Sequence, residues 1–303
     1  MDFIEKLKGL QNQLAVGNLK KVIEGCNKIL KKYPNNALVL NLLGLALQKN
    51  KQVKQSTRFF IGALDNDPNN IAAINNLANS YKALGNIELA EELYIKAINL
   101  NPKYISALNN YGNLKLQLND FNEASNLFKK ALALNKNEIT LLFGFASALQ
   151  GLGNFSEAIT VLKKVLSIDP KNSSAHKMLS SIMDYKNESK ESNSHLAEME
   201  KLIIDNDLNN DQKIDLSFAL AKAQEEIGSF DSSFKNLERG NFLKKTKFNY
   251  SIGGEEKLFN NIIKTFNDFD FDRFSKINNS REIIFICGMP RSGTTLVEQI
   301  IAS

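Results

Sequence analysis

The stretch that decides the fold is PNNIAAINNLANSYKALGNIELAEELYIKAINLNP, which spans residues 68–102. Proline stands at both of its ends, and the same step of 34 residues leads back to Pro34 and, two steps forward, to Pro170. Each of these prolines follows an apolar segment and precedes a short polar break. Because proline cannot continue a helix, the step predicts that helices end at regular intervals along the chain.

Turn residues and small residues follow the same step. Gly17, Gly85 and Gly153 are each followed by Asn, and a glycine just after a helix readily adopts the left-handed conformation that closes a hairpin. Lys51 and Asn119 occupy the alternate turn sites, where this conformation is less favourable. Small residues recur at 44, 78, 112 and 146 and at 63, 97 and 131. The pattern predicts pairs of closely packed antiparallel helices.

A helix-turn-helix unit of 34 residues with these spacings resembles the tetratricopeptide repeat (TPR) family. The resemblance implies a mainly α fold, a right-handed α-solenoid whose first helices line a concave groove. Five repeats are expected at 3–36, 37–70, 71–104, 105–138 and 139–172, with a partial sixth from Ser173 that loses the pattern after Tyr185. The predicted domains are a TPR solenoid at 3–185, a linker at 186–193, a helical segment at 194–280 with a degenerate repeat at about 214–245, and a separate fragment at 281–303.

Asparagines lie in register on the first helices of two neighbouring repeats. AINNLANS (73–80) and ALNNYGNL (107–114) place Asn76 opposite Asn110, and Asn79 opposite Asn113. A side-chain amide both donates and accepts hydrogen bonds, so a row of amides can hold a peptide backbone without reading its side chains. We therefore predict that these four asparagines bind peptide.

The position of Asn76 and Asn110 resembles the asparagine ladder of the O-linked N-acetylglucosamine transferase solenoid. Leu42 and Gly144 interrupt that position, so the predicted ladder has two rungs. The alternative is that asparagine is simply frequent at this repeat position and throughout the chain.

The composition argues against several other functions. The net charge of +5 is spread over helix faces and forms no single basic patch, which argues against a nucleic-acid partner. Cys26 and Cys287 are too few for a disulfide scaffold, and neither His176 nor His195 has metal-ligand spacing. His176 is expected to be a packing residue and His195 to start a helix after the linker. The chain shows neither a signal peptide nor an apolar run of about 18 residues, so we expect no membrane contact and a cytoplasmic location.

The last part of the sequence has a different pattern. The run EIIFIC (282–287) is typical of a strand buried on both faces, and GMPRSGTT (288–295) follows it. Its two glycines have the spacing of a nucleotide-phosphate loop, although Thr294 replaces the lysine of that motif and Arg291 supplies the positive charge. Unpaired N–H groups and the dipole at a helix start favour an anion there. The pattern therefore predicts a phosphate-binding strand-loop-helix.

PRSGTTL (290–296) resembles the 5′-phosphosulfate loop of sulfotransferases, and GMPRSGTTLVEQI around it is most similar to the protein-tyrosine sulfotransferase branch. The resemblance implies the first strand-loop-helix of an α/β P-loop-like domain that binds 3′-phosphoadenylyl sulfate (PAPS) without a metal. The implied donor contacts are Arg291, Ser292, Gly293, Thr294 and Thr295. The general base, the 3′-phosphate contacts and the acceptor site would lie beyond Ser303, so we expect the chain as given to be inactive and to look like a truncated enzyme.

Two functional hypotheses follow from the sequence. The first is a PAPS-dependent sulfotransferase that transfers a sulfuryl group to a hydroxyl, with protein tyrosine the favoured acceptor, on a polypeptide held in the TPR groove. The second is a non-catalytic TPR scaffold for protein–protein interaction. The sequence leaves the acceptor and the oligomeric state open.

Overall fold

The structure is a computed structural model that describes residues 3–187, 189–247 and 252–267. All regular structure in these residues is helical, which confirms the predicted mainly α class. The helices are α1 (Phe3–Ala15), α2 (Leu19–Lys32), α3 (Ala37–Lys49), α4 (Val53–Asn66), α5 (Ile71–Ala83), α6 (Ile87–Leu100), α7 (Ile105–Gln117), α8 (Phe121–Leu134), α9 (Ile139–Gly151), α10 (Phe155–Ile168), α11 (Ser173–Ile182), α12 (Lys190–Leu202), α13 (Asn210–Glu226), α14 (Phe230–Lys247) and α15 (Ile252–Asn267). The chain divides into two compact units, Met1–Thr246 and Lys247–Ser303, and α15 is the described part of the second. The predicted strand-loop-helix at 281–303 lies outside the described residues.

The turns inside the hairpins lie where the sequence predicts them. Gly17, Gly85 and Gly153 have φ angles of 78°, 82° and 76°. Lys51 and Asn119 occupy the alternate turns in the same left-handed conformation, with φ of 62° and 59°. A side chain in this region costs roughly 1–2 kcal/mol relative to a helical conformation. The hairpin geometry is therefore kept even where the sequence supplies no glycine.

Small and large side chains alternate between the paired helices. The large residues Phe60, Tyr94, Phe128 and Leu162 recur every 34 residues on the second helices and are fully buried. A Cβ atom added to Gly44 would lie 2.5 Å from the Phe60 ring, and one added to Gly112 would lie 2.9 Å from the Phe128 ring. At Gly44 and Gly112 a ring thus fills the space that a larger side chain would need.

The chain departs from this scheme after α11. Helix α11 packs on α13, and α12 lies between them in sequence. Helix α12 begins at Lys190 because the Ser189 side chain accepts from the backbone N–H of Ser192 and caps it. The predicted linker at 186–193 is therefore too long at its C-terminal end. Helices α13 and α14 form a hairpin around Gly228, whose φ is 79°, where the degenerate repeat was expected.

A chain of buried hydrogen bonds joins this end region. His176 Nε2 lies 3.0 Å from the carbonyl oxygen of Pro170, which can only accept. His176 Nδ1 must therefore accept from His195 Nε2 at 3.0 Å, and His195 Nδ1 accepts from the Tyr185 hydroxyl at 2.6 Å. His176 is predicted as a packing residue, and the structure shows that it packs through specific hydrogen bonds. His195 is predicted to start a helix but lies inside α12, because the Ser189 cap starts that helix at Lys190.

Burial keeps the imidazoles of His176 and His195 neutral. Burial lowers the pKa of His195 to about 3, and the neighbouring His176 and Lys163 act in the same direction. Burial also lowers the pKa of His176, against the opposing effects of the Pro170 carbonyl, Glu198 and Asp169. At neutral pH the protons of the hydrogen bonds that join Tyr185, His195 and His176 therefore have fixed positions.

Candidate peptide-binding groove

Seven asparagines lie on three successive first helices, α3, α5 and α7. They are Asn41 on α3, then Asn75, Asn76 and Asn79 on α5, and Asn109, Asn110 and Asn113 on α7. Two of these helices are started by the residues that follow the repeating prolines. The side chains of Asn36 and Asn70 cap α3 and α5 by accepting from the N–H groups of Val39 and Ala73. The same sequence step that ends each hairpin therefore also sets the position of the next first helix.

Four of the asparagines form two bridges between neighbouring repeats. Asn76 Nδ2 donates to Asn41 Oδ1 at 3.0 Å, and Asn110 Nδ2 donates to Asn75 Oδ1 at 3.0 Å. We call these the two amide pairs. Each connects residues 35 positions apart, one more than the repeat step. The amide of Asn76 therefore bridges to α3, and that of Asn110 bridges back to α5.

Each amide pair leaves one donor and one acceptor available. Within the described residues, no hydrogen bond occupies Asn41 Nδ2 or Asn76 Oδ1, and the same is true of Asn75 Nδ2 and Asn110 Oδ1. Asn75 and Asn76 are only 3% and 8% exposed, yet these atoms are not among the sealed polar atoms that lack a partner. A donor and an acceptor side by side are complementary to the C=O and N–H of a peptide unit.

The other two predicted residues are held within their own repeats. Asn79 Oδ1 accepts from the hydroxyl of the buried Tyr94 at 2.5 Å, so its Nδ2 group remains available. Asn113 Nδ2 donates to Asn109 Oδ1 at 3.3 Å, so its Oδ1 remains available. Burial raises the pKa of Tyr94, which keeps its hydroxyl a donor to Asn79. The four predicted asparagines are therefore fixed in orientation by internal bonds.

The sequence prediction missed two members of the groove. Neither Asn41 nor Asn75 was assigned from the sequence. The signal that identifies them is a second series of asparagines one position before the predicted ladder position. A search for asparagine at equal repeat positions does not find this series. The hydrogen bonds join each ladder position to the preceding position of the neighbouring repeat.

The groove asparagines carry no formal charge, and a nearby charge on α7 is already paired. Lys115 contacts Glu91 at 2.5 Å and Asp120 at 3.5 Å. Although burial disfavours the charged form, the hydrogen bond with Glu91 raises the pKa of Lys115. Lys82, on the last turn of α5, is half-buried, and burial lowers its pKa. The two amide pairs therefore present neutral hydrogen-bonding groups rather than formal charges.

The second predicted site lies elsewhere in the chain. The PAPS contacts predicted from the sequence are Arg291, Ser292, Gly293, Thr294 and Thr295, and all five lie outside the described residues. Among the residues that the structure does describe, no cluster of three or more His, Cys, Asp or Glu side chains is suited to a metal ion. None of the described helices is long and apolar enough to cross a membrane. The cytoplasmic location stays a prediction.

Comparison with known families identifies the repeats. Two family models for the tetratricopeptide repeat match residues 69–137 and 115–182. Residues 69–182 thus match tetratricopeptide repeats, as the spacings predict. An uncharacterized protein of Aquifex aeolicus is 36% identical over 87 residues, which cover 28% of this chain and 11% of that relative. The match therefore spans only a small fraction of the curated relative's length.

Solved structures agree with this fold. A tetratricopeptide repeat protein from Parabacteroides merdae aligns over 84% of this chain and 96% of its own, with a TM-score of 0.56 and 19% identity. The protein YrrB, described as a TPR protein with an unusual peptide-binding site, aligns over 61% of this chain and 95% of its own, with a TM-score of 0.50 and 19% identity. Likeness at these identities shows the helical repeat fold.

Proposed function

We propose that the chain is a protein–protein interaction scaffold whose groove binds an extended polypeptide through its main chain. The observation that carries the proposal is the two amide pairs, Asn41–Asn76 and Asn75–Asn110, each with one free donor and one free acceptor. The similarity to YrrB, a TPR protein with an unusual peptide-binding site, supports peptide as the ligand class.

The spacing of the pairs suits an extended chain. Packed helices lie about 8–10 Å apart, and an extended chain advances about 3.3 Å per residue. Successive amide pairs would therefore meet about every third peptide unit. A helix in the groove would not serve as well, because its own backbone groups are already bonded to one another.

The energy of these contacts sets the expected affinity. Each peptide hydrogen bond contributes about 0.5–1.5 kcal/mol net, so four of them contribute about 2–6 kcal/mol. Binding must also offset the ordering of the peptide. We therefore expect weak, reversible capture with little preference for side chains, and little dependence on salt because the contacting groups are neutral.

Selection from a random library of peptides of about 12 residues tests the proposal, since a groove of about four repeats spans that length. The wild-type chain should enrich peptides, and the Asn76→Ala/Asn110→Ala variant should bind the enriched peptides about tenfold more weakly. The matched control is Asn122→Ala/Asn126→Ala on α8, where both side chains are exposed on a second helix. Equal weakening by both double variants, or no enrichment above background, would contradict the proposal.

A second candidate function is supported by the sequence GMPRSGTTL, residues 288–296. We propose on this basis that the full protein is a PAPS-dependent sulfotransferase, with the groove presenting a polypeptide and a tyrosine hydroxyl as the favoured acceptor. In this proposal Arg291 and the N–H groups of the loop bind the 5′-phosphosulfate, because a guanidinium can direct two donors onto its oxygens. No metal takes part.

Titration of PAPS into protein expressed from the full reading frame tests this second candidate. The Arg291→Ala variant should bind PAPS at least about tenfold more weakly, since charge-assisted hydrogen bonds contribute roughly 1.5–3 kcal/mol each. The matched control is Arg281→Ala, just before the predicted strand. If Arg291→Ala binds PAPS as tightly as the wild type, the assignment of the loop is wrong.

A further inference from the structure

A second groove lies at the first hairpin, between α1 and α2. Its volume is about 570 Å³, and its apolar wall is formed by Phe3, Leu10, Ile29 and Tyr33. The rings of Phe3 and Tyr33 meet edge to face with their centroids 5.6 Å apart. We call it the N-terminal groove. It is separate from the amide pairs, which lie on α3, α5 and α7.

The first repeat has a glycine, Gly25, at a position that lines this groove. Gly25 occupies the repeat position that holds Phe59, Leu93, Leu127 and Val161 in the following four repeats. Phe59 packs against the core cluster formed by α1, α2 and α3. In the first hairpin the Leu10 side chain fills the space beside Gly25, since a Cβ atom added there would lie 2.4 Å from Leu10 Cδ2. The apolar wall at this point is therefore supplied by Leu10 of α1.

The rim of the groove is basic. Four exposed lysines line it, Lys6, Lys21, Lys28 and Lys32, together with the single acid Glu5. Within the part of the chain that the structure describes, none of the four lysines forms an ion pair. Lys32 Nζ lies 5.4 Å from the centre of the Tyr33 ring. The rim is thus a set of free positive charges around an apolar wall.

The arrangement of the charges indicates the kind of ligand. Lys21, Lys28 and Lys32 lie seven and four positions apart on α2, which spreads them over about 16 Å at 1.5 Å per residue. A compact anion such as phosphate needs donors that converge on one point, and these do not. An elongated partner with several acidic residues and one apolar side is complementary to this groove. Its acidic residues can face the lysines while its apolar side contacts the apolar wall.

We propose that the N-terminal groove binds an amphipathic helix of a partner protein, with its apolar stripe against Leu10, Ile29 and Tyr33 and its acidic residues facing the lysines. Helices laid into apolar grooves are a recurring mode of recognition. The chain would then have two sites of opposite character. The amide pairs take an extended neutral backbone, and the N-terminal groove takes an acidic helix.

Fluorescence anisotropy with the full chain tests the proposal. The probe is a fluorescein-labelled helix of about 18 residues built from Leu, Ala and Glu, with Leu at i, i+3, i+4 and i+7 and Glu on both flanks. The Lys28→Glu/Lys32→Glu variant should bind the probe at least about tenfold more weakly than the wild type. The matched control, Lys20→Glu/Lys31→Glu, makes the same charge change on α2 at lysines that do not line the groove, and should change affinity by about twofold at most.

Three comparison measurements make the test specific. A peptide of the same composition with its leucines scattered should bind much more weakly, and the Asn76→Ala/Asn110→Ala variant should bind the helix probe as the wild type does. Binding should also weaken when salt is raised from about 50 to about 500 mM, because exposed charges are screened. If the Asn76→Ala/Asn110→Ala variant also loses affinity for the helix probe, the two sites are not separate and the proposal is wrong.

The remaining outcomes are decided in the same assay. The proposal is wrong if the two lysine variants lose affinity equally. It is also wrong if the peptide with scattered leucines, or a short DNA duplex, binds as tightly as the helix. In each case the lysines act only as general positive charge. The proposal is also wrong if no probe binds. Sedimentation velocity checks self-association, and a dimer that Lys28→Glu/Lys32→Glu dissociates would assign the groove to a second copy of the chain instead.

Discussion

The array α3–α10 and the end region α11–α14 are built from similar helices but are held together differently. In the array, Phe60, Tyr94, Phe128 and Leu162 return every 34 residues beside small residues of the paired helix. In the end region, Tyr185, His195, His176 and the Pro170 carbonyl form a single hydrogen-bonded chain. The array uses the same packing of large against small residues in every repeat. The end region uses a set of buried hydrogen bonds that occurs once.

This difference has a physical consequence. Packing of rings against small residues does not depend on pH, since none of the groups titrates near neutrality. A chain of neutral imidazoles does depend on pH, because the unfolded state binds protons that the buried chain excludes. The two regions should therefore respond differently to cavity-forming changes, to acid and to changes in their turns.

The largest expected effect is from a cavity in the array. Phe128 is fully buried, and its ring fills the space beside Gly112 and Gly144. Phe128→Ala should lower the free energy of unfolding by about 3–5 kcal/mol, as measured by urea denaturation. The control Phe155→Ala removes a ring that is 49% exposed and should cost less than about 1 kcal/mol. Similar losses for both variants would show that the array does not rest on this packing.

The next effect is a loss of stability in acid that is specific to the end region. An unfolded histidine has a pKa near 6.5, whereas burial lowers the pKa of His195 to about 3. Between these values the unfolded state binds more protons, so stability is retained above pH 6.5 and falls as the pH drops. From pH 7 to pH 5, His195 alone should cost about 2 kcal/mol, and His176 acts in the same direction.

Two features make the acid measurement diagnostic. The chain has only two histidines, so few groups other than these two titrate between pH 5 and pH 7. His195→Gln keeps a donor and an acceptor but does not titrate, and should reduce the slope of stability against pH. Hydrogen exchange should show that the loss begins in α11 and α12 while the array stays protected. If the free energy of unfolding does not change between pH 7 and pH 5, His176 and His195 are not buried in their neutral form.

The smallest effect concerns the turns of the array. Lys51 and Asn119 have φ angles of 62° and 59°, a conformation that glycine adopts freely. Lys51→Gly should raise the free energy of unfolding by about 0.5 kcal/mol, because relief of strain exceeds the added freedom of the unfolded chain. Asn119→Gly should change it by less, since asparagine tolerates this conformation. Thermal unfolding at matched concentration measures both. A destabilising Lys51→Gly would show that the lysine side chain contributes more than its strain costs.

The sequence predicts the array well for the same reason that the array is regular. Pro34, Pro68, Pro102 and Pro170 and the turn glycines fix where helices end, and every such signal is local. The end region gave weaker signals. His176 and His195 are 19 positions apart with no repeating partner, so nothing in one sequence reveals their hydrogen bond. The Ser189 cap was hidden in a polar stretch that is also typical of a linker.

The sequence identifies only some of the asparagines that the structure joins by hydrogen bonds. Equal repeat positions are 34 residues apart, but the amides that bond are 35 apart. This offset depends on how one hairpin is rotated against the next, which a spacing along the sequence does not determine. Asn76 and Asn110 could therefore be named from the sequence, whereas their partners Asn41 and Asn75 required the structure.

The measurement that tests the central claim most directly is a double cycle between the amide pairs and the peptide backbone. A peptide enriched from the library is compared with analogues N-methylated at single positions, each against the wild type and against Asn76→Ala/Asn110→Ala. If the pairs bind the main chain, N-methylation at one or two positions should weaken wild-type binding about tenfold and leave the variant nearly unaffected. If N-methylation weakens wild type and variant by the same factor at every position, the amide pairs do not hold the peptide backbone and the claim is wrong.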